Sequence, residues 1–271
     1  GIAEYWGFRA QAAFVPLNEA RTQMRAALAR ALELDSELAE VQYVLALVST
    51  YHEWDWEGAE AAFKKAIELN PNFPDVRSLY SHFLCIMKRP DEALEQTERA
   101  MELDPFSDLI QGWHGWVLYM VRRYDDALAH FQRMLRTAPN HLVALIGLIH
   151  VYYVKGMYDE SLAVEQSLYA VLEFPQAEEA LALGYAEGGY RGAMRRLGDT
   201  LATLRNVRHV SPLDIAAPYA FAGEDSRALD WLERAFEERR PSMPYLGVYP
   251  VLDGLRDEPR FQDLLRRMNL P

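Results

Sequence analysis

Apolar and polar residues follow one another along this chain in blocks that return every 34 positions. Four small residues, Ala59, Ala93, Ala127 and Ser161, mark the period. Four positions after them come Phe63, Thr97, Phe131 and Glu165, and three further on Ala66, Ala100, Met134 and Leu168. Steps of four and three place these residues on one face of a helix, helix B of each repeat. Upstream of each B helix lies a second apolar, aromatic-rich stretch, at about 39–51, 75–87, 109–122 and 143–155. These stretches are the predicted A helices. Each copy ends on a related phrase: Ala66-Ile-Glu-Leu-Asn-Pro71, Ala100-Met-Glu-Leu-Asp-Pro105 and Met134-Leu-Arg-Thr-Ala-Pro139.

A fixed period of this length predicts stacked copies of one supersecondary unit rather than a single closed core. The expected fold is all-α, an α-solenoid of antiparallel helix pairs. Acids recur just before each B helix, as Glu57, Asp91, Asp125 and Asp159. Their repetition favours capping of the helix end over catalysis, because an acid there accepts orphan N–H groups and suits the positive end of the helix. Gly156 stands in the A–B turn of the fourth copy, where a positive φ is expected.

The array continues both ways with less fidelity. Residues 31–36 repeat the closing phrase one residue out of period, which predicts a helix at about 18–34 and a preceding one at 2–14. Downstream, Leu183-Gly184 begins another A-like phrase, followed by a B helix at about 190–204, and residues 212–221 and 225–238 form a last pair. Pro241, Pro244 and Pro250 forbid a continuous helix through the tail. Beyond Pro259, residues Phe261, Leu264, Leu265 and Met268 share one helical face. A solenoid needs a terminal element over its exposed apolar end, and 246–270 is expected to be that cap. The expected divisions are 1–39, a divergent helix pair; 40–175, four regular repeats; 176–242, two divergent pairs; and 243–271, the cap.

These positions resemble the tetratricopeptide repeat. Gly115 fills the motif's glycine, Tyr152 its tyrosine, and Ala59, Phe63 and Pro71 its second half. The resemblance is tight from about residue 40 to 175 and implies a right-handed superhelix with A helices on the concave side. Three phrases are similar to one bacterial group of such regions: Trp54-Asp-Trp56-Glu-Gly-Ala59-Glu, Ala186-Glu-Gly-Gly-Tyr190-Arg-Gly-Ala193, and Leu255-Arg-Asp-Glu-Pro259-Arg-Phe261-Gln-Asp-Leu-Leu-Arg-Arg-Met268. In that group the repeats are C-terminal parts of regulatory proteins whose N-terminal partner is a winged-helix, Ser/Thr kinase or adenylyl-cyclase-like domain. The resemblance therefore implies an N-terminal effector domain on a longer parent chain. Gly1 in place of Met fits that expectation, and the tail phrase fits a natural C-terminus.

Composition narrows the function. Lys and Arg number 28 against 40 Asp and Glu, for a net charge of −12. That balance argues against a nucleic-acid surface, which needs a basic stripe. The single cysteine, Cys85, excludes an intramolecular disulfide and points to a reducing, cytoplasmic setting. The longest apolar stretch, 142–154, contains His150 and is shorter than the roughly 18 residues a membrane span takes. No phosphate loop or kinase catalytic loop is legible, so no enzymatic activity and no cofactor are expected.

The repeat register selects the inward face of the A helices. One stripe is Val48, His82, Trp116 and His150; three residues on lie Tyr51, Cys85, Tyr119 and Tyr153, beside His52, Ile86, Met120 and Val154. Earlier in each helix stand Val44, Ser78, Gly112 and Ile146. The candidate partner-binding residues are Tyr51, His52, His82, Trp116, Tyr119, Met120, His150 and Tyr153. Such an aromatic wall suits a protein or peptide with apolar anchors, since Trp and Tyr dominate binding hot spots. Two other readings stand beside it: the side chains pack on one another, or the superhelix closes around a small ligand as a sensor. His82 and His150 lack Cys or Asp partners in register, which argues against a metal. Chaperone-binding relatives clamp a terminal carboxylate with cations, and Val44, Val48, Ser78 and His82 supply none.

Overall fold

The computed structural model describes residues 17–208 and 210–271. The helix expected at 2–14 lies outside the described residues. A single helix, α1 (Leu17–Leu34), precedes the pairs α2 (Ala39–Val48) and α3 (Trp56–Leu69), α4 (Pro74–Ile86) and α5 (Pro90–Leu103), α6 (Asp108–Met120) and α7 (Tyr124–Thr137), and α8 (Leu142–Val154) and α9 (Tyr158–Val171). Then follow α10 (Pro175–Arg208), which is two helices joined at Gly188–Gly189, and the pair α11 (Pro212–Ala222) and α12 (Asp225–Glu237). The chain ends in two 3₁₀ turns, Met243–Gly247 and Pro250–Leu255, and in α13 (Pro259–Arg267). Among the described residues there is no strand. The fold is an all-α right-handed solenoid.

The repeated prolines act through the residue before them. A proline ring disfavours helical backbone at its predecessor. Asn70, Asp104 and Ala138 accordingly leave the helix at φ −139, −142 and −135°. After the fourth B helix the periodic position holds Glu173 instead of proline, and that turn closes differently: Leu172 stays helical and Glu173 takes φ +51°. The A–B turns carry their own 34-residue period. Trp54, Lys88, Arg122 and Gly156 adopt φ of 60, 56, 67 and 74°, and Gly189 and Gly223 follow at 60 and 75°. Each ends its A helix in the left-handed region, and amides just beyond return to the last turn, as Arg89 N to Leu84 O at 2.9 Å and Arg123 N to Leu118 O at 2.8 Å do.

The one-residue slip near the start has a physical location. Residues Ser49–Glu53 form a π-turn, in which Asp55 N reaches Ser49 O at 3.0 Å, one residue further back than in the later turns. This extra residue moves the first A helix out of the 34-residue register. Val48 consequently faces α1, packing with Met24 and Leu28 rather than toward the concave side.

The repeated acids do not cap. Glu57, Asp91, Asp125 and Asp159 sit in the first turn of their helices, and the residues at the cap positions of α5, α7 and α9 are Arg89, Arg123 and Met157, which accept no amide. Asp55 is the side-chain cap of α3, accepting from Gly58 N at 3.1 Å. The four acids gain instead from the helix dipole, and Asp125 and Asp159 from partners Lys155 and Tyr185.

Ala59, Ala93, Ala127 and Ser161 are fully buried where A and B helices cross. Phe63 and Phe131 fill the core one turn later. Glu165 occupies the same place in the fourth repeat; it is 5% exposed, and its Oε2 has no hydrogen-bond partner among the described residues. Burial pushes its carboxyl up to about 8. In the fifth pair the two halves of α10 cross on glycine. A Cβ at Gly184 would stand 2.4 Å from Gly192 O, so only glycine permits that approach.

Besides the small Met24–Leu28–Val48 cluster, two large apolar clusters form the core, and the C-terminal segment joins them. Val248 belongs to the cluster of the first four repeats; Leu246, Val251, Leu252 and Leu255 belong to the C-terminal one. Trp54, from the first A–B turn, is also part of the C-terminal cluster. It packs against Phe236 at 5.3 Å, with the Arg239 guanidinium 4.4 Å from its ring. Trp56 Nε1 donates to Met268 O at 2.9 Å. First repeat and last helices thus touch directly. The expected end cap differs accordingly: α13 lies on α12, where Arg260 pairs with Asp230 and Glu233, while residues 243–255 run along the concave wall.

Candidate interaction groove

The concave wall is made by α4, α6 and α8, which touch in succession, and by the π-turn at the end of the first A helix. The last turns of these helices point aromatic and imidazole side chains inward at each repeat. Residues 243–255 lie against them, threaded from the first repeat toward the fourth.

Two hydrogen-bond chains grip this segment. In the first, His82 Nε2 lies 3.1 Å from Trp113 O. A carbonyl only accepts, so Nε2 carries the proton and Nδ1 is an acceptor. Nδ1 takes the Tyr245 hydroxyl at 3.0 Å, and the Tyr245 oxygen in turn takes the Tyr51 hydroxyl at 2.8 Å. In the second, Val251 N–H donates to the Tyr119 oxygen at 3.1 Å, and the Tyr119 hydroxyl turns to His150 Nδ1 at 3.4 Å. Tyr51 with His82 and Tyr119 with His150 are the same pair of positions two repeats apart. Between them Tyr249 stacks on Trp116, with ring centroids 5.7 Å apart and planes at 28°, and on Tyr245 at 5.2 Å and 12°. At the exposed rim Arg122 forks onto Asp253 at 2.5 and 3.0 Å. Burial pushes the His82 and His150 imidazoles down to about 4, so both are neutral at neutral pH. Burial likewise raises the Tyr51 phenol and the Cys85 thiol to about 12.

The structure therefore brings Tyr51, His82, Trp116, Tyr119 and His150 together on one wall, and that wall is covered by the chain's own tail. His52 is buried on the π-turn, its carbonyl accepting from Arg239 at 3.3 Å. Met120 is buried in the core. Tyr153 stands beyond the covered stretch: its hydroxyl donates to Ala220 O at 3.4 Å and its ring lies 4.4 Å from Phe221. Sequence reasoning passed over Tyr245 and Tyr249. Two tyrosines four apart among prolines, in a segment with no helical period, were the available signal.

Where the tail leaves the wall, two adjoining clefts remain open. The first, of about 290 Å³, is lined by Tyr124, Tyr153, Tyr158, Pro250, Val251 and Asp253, among others. The second, of about 240 Å³, is lined by Tyr153, Tyr158, Gly188, Tyr190, Arg191, Phe221 and Gly223. Tyr153 and Tyr158 belong to both. Tyr190 stacks on Tyr158 at 5.0 Å and on Tyr153 at 6.2 Å. Among the described residues no three His, Cys, Asp or Glu side chains meet in a way that could hold a metal ion, and no helix is long and apolar enough to cross a membrane.

Residues 52–112 and 118–168 match the family model of the tetratricopeptide repeat. These two segments resemble tetratricopeptide repeats. The helical array is similar in fold to the crystal structure of PilW, a widely conserved type IV pilus biogenesis factor, with a TM-score of 0.56 and 20% identity over 74% of this chain and 93% of that one. Yeast Tom70 is similar with a TM-score of 0.51 and 18% identity, over 93% of this chain and 55% of Tom70, so the chain spans about half of its length. At these identities the likeness concerns the fold alone. No curated protein sequence matches the chain. Tetratricopeptide proteins generally mediate protein–protein interactions.

Proposed function

We propose that this tetratricopeptide array is a non-catalytic, cytoplasmic protein-interaction module, and that it regulates an N-terminal effector domain of a longer parent chain. The phrases around Trp54, Tyr190 and Pro259 support the regulatory part by their resemblance to such parents. Its own tail occupies the wall of Tyr51, His82, Trp116, Tyr119 and His150, so a partner segment enters at the open end of the groove, over Tyr153 and Tyr158. The observation that carries this reading is the pair of clefts sharing those two tyrosines, at the point where the tail turns away. Tyr158 keeps 46% of its surface exposed there, an accessible aromatic of the kind that anchors interfaces. The second reading is a small-ligand sensor that uses the same two adjoining clefts, whose volumes of about 290 and 240 Å³ lie near the lower end of small-molecule sites.

The test is a random-peptide display selection on the full chain. Enriched peptides are expected to lose binding to Tyr158→Ser and to keep it with Phe106→Ser, a 92% exposed side chain in the loop between α5 and α6. Selections that enrich no peptide dependent on Tyr158 would contradict the reading.

A further inference from the structure

We infer that the open end of the groove recognises an extended, proline-rich peptide segment carrying an acidic residue; the inference rests on the interaction reading above and names its ligand.

Three observations converge on it. First, the wall here is a run of tyrosine rings. Tyr190 stacks on both Tyr158 and Tyr153, the Tyr153 and Tyr158 rings are tilted at 53° to each other, and Tyr124 lines the adjoining cleft. Aromatic walls suit polyproline II chains, whose pyrrolidine rings pack flat on them. Such chains make no internal hydrogen bonds and lose little entropy on docking. Tyr158 is 46% exposed on this wall and presents its ring to a ligand.

Second, the lip of this part of the groove is built of glycine. The A–B turns at the N-terminal end carry the side chains Trp54, Lys88 and Arg122, whereas the later turns are Gly156, Gly188–Gly189 and Gly223, of which Gly188 and Gly223 line the second cleft. A Cβ at Gly156 or Gly189 would meet nothing within 4 Å. The space over these turns is open, and a ligand backbone can approach closely.

Third, the chain places one of its own prolines on the same surface. Pro250 lines the first cleft with Tyr124, Tyr153 and Tyr158. A peptide laid over Tyr158, whose ring is backed by the buried Tyr190, continues the track on which Pro250 already sits. The second cleft adds a cation. Arg191 is exposed, and a methyl placed on Gly223 would be 4.0 Å from its Cζ. A carboxylate is the matching group on the ligand, because a guanidinium and a carboxylate form charge-assisted, paired hydrogen bonds.

The experiment uses the full chain and a fluorescein-labelled peptide of sequence Ala-Pro-Pro-Ala-Pro-Pro-Asp-Ala, read by anisotropy. The prolyl peptide is expected to bind. Binding should weaken about tenfold or more when its prolines are replaced by alanine, and equally in Tyr158→Ser, as loss of one well-packed aromatic contact implies. Changing the peptide Asp to Lys should weaken binding several-fold in the native chain and have no effect in Arg191→Ala. Equal binding of the alanine peptide, or unchanged binding by a Tyr158→Ser protein of native circular dichroism and melting, would overturn the inference. Absence of prolyl-peptide binding while other display-selected peptides still require Tyr158 overturns the ligand class and leaves the interaction reading standing. Absence of any Tyr158-dependent peptide overturns both.

Discussion

The Tyr245 hydroxyl lies 3.0 Å from His82 Nδ1 and joins the C-terminal tail to the second repeat across 163 residues of chain. Tyr245→Phe keeps the ring and its stacking on Tyr249 but leaves His82 Nδ1 without its donor and the Tyr51 hydroxyl without its acceptor. The expected cost is about 1–3 kcal/mol, the penalty for unpaired buried polar groups. Urea unfolding measures it, and the double variant Tyr51→Phe/Tyr245→Phe should recover part of the loss, because one orphaned hydroxyl is then removed.

Glu165 sets a pH dependence on the alkaline side. Its folded carboxyl titrates near 8, against 4.5 for an ordinary glutamate, because it is buried. The folded state therefore holds a proton that the unfolded chain releases. The stability is complete below pH 4.5 and is lost as pH rises through 8, with a slope of about 1.4 kcal/mol per pH unit between them. Glu165→Gln should flatten the urea midpoint between pH 6 and pH 8.5, and Glu165→Phe, which restores the residue of the first and third repeats, should do the same. A slope unchanged by both variants would contradict the assignment.

His82 and His150 act on the acid side with the opposite sign. Burial lowers both from 6.5 to about 4. The unfolded chain binds protons that the folded chain refuses, so the stability they carry is present above pH 6.5 and disappears as pH falls through 4. Proton-exchange-resolved NMR titration should find both imidazoles neutral at pH 5. His150→Gln should reduce the fall in melting temperature between pH 7 and pH 4.5.

Lys88 is exposed and stands at φ +56°. A left-handed backbone costs a residue with a Cβ about 1–2 kcal/mol, and glycine loses about half of that advantage through its freer unfolded chain. Lys88→Gly should therefore raise stability by about 0.5–1 kcal/mol in urea unfolding. Gly156→Lys at the equivalent turn should lower it by a similar amount.

The helix pairs were legible because their information is local and repeated. Small residues at Ala59, Ala93, Ala127 and Ser161 and prolines at Pro71, Pro105 and Pro139 report the same geometry several times over, so one divergent copy does not hide it. The slip before residue 40 was legible as a slip, but its π-turn was not, because Ser49–Glu53 has no composition that distinguishes a wider turn from a longer loop. The acids misled as caps because first-turn and cap positions differ by two residues, within the uncertainty of a helix start read from spacing. The aromatic wall was also legible, since Tyr51, Trp116 and Tyr119 share a register. What covers it was not. The pairing of Tyr245 with His82, or Val251 with Tyr119, is a contact between distant segments with no shared period, and no local rule announces it.

Residues 243–255 are held against the concave wall through Tyr245, Tyr249 and Val251. Amide hydrogen exchange at Val251, whose N–H donates to Tyr119, measures this directly. Protection equal to that of the amides in α6 is expected, with exchange only on global unfolding. Exchange of Val251 and its neighbours at the rate of an open peptide, while α6 stays protected, would contradict it.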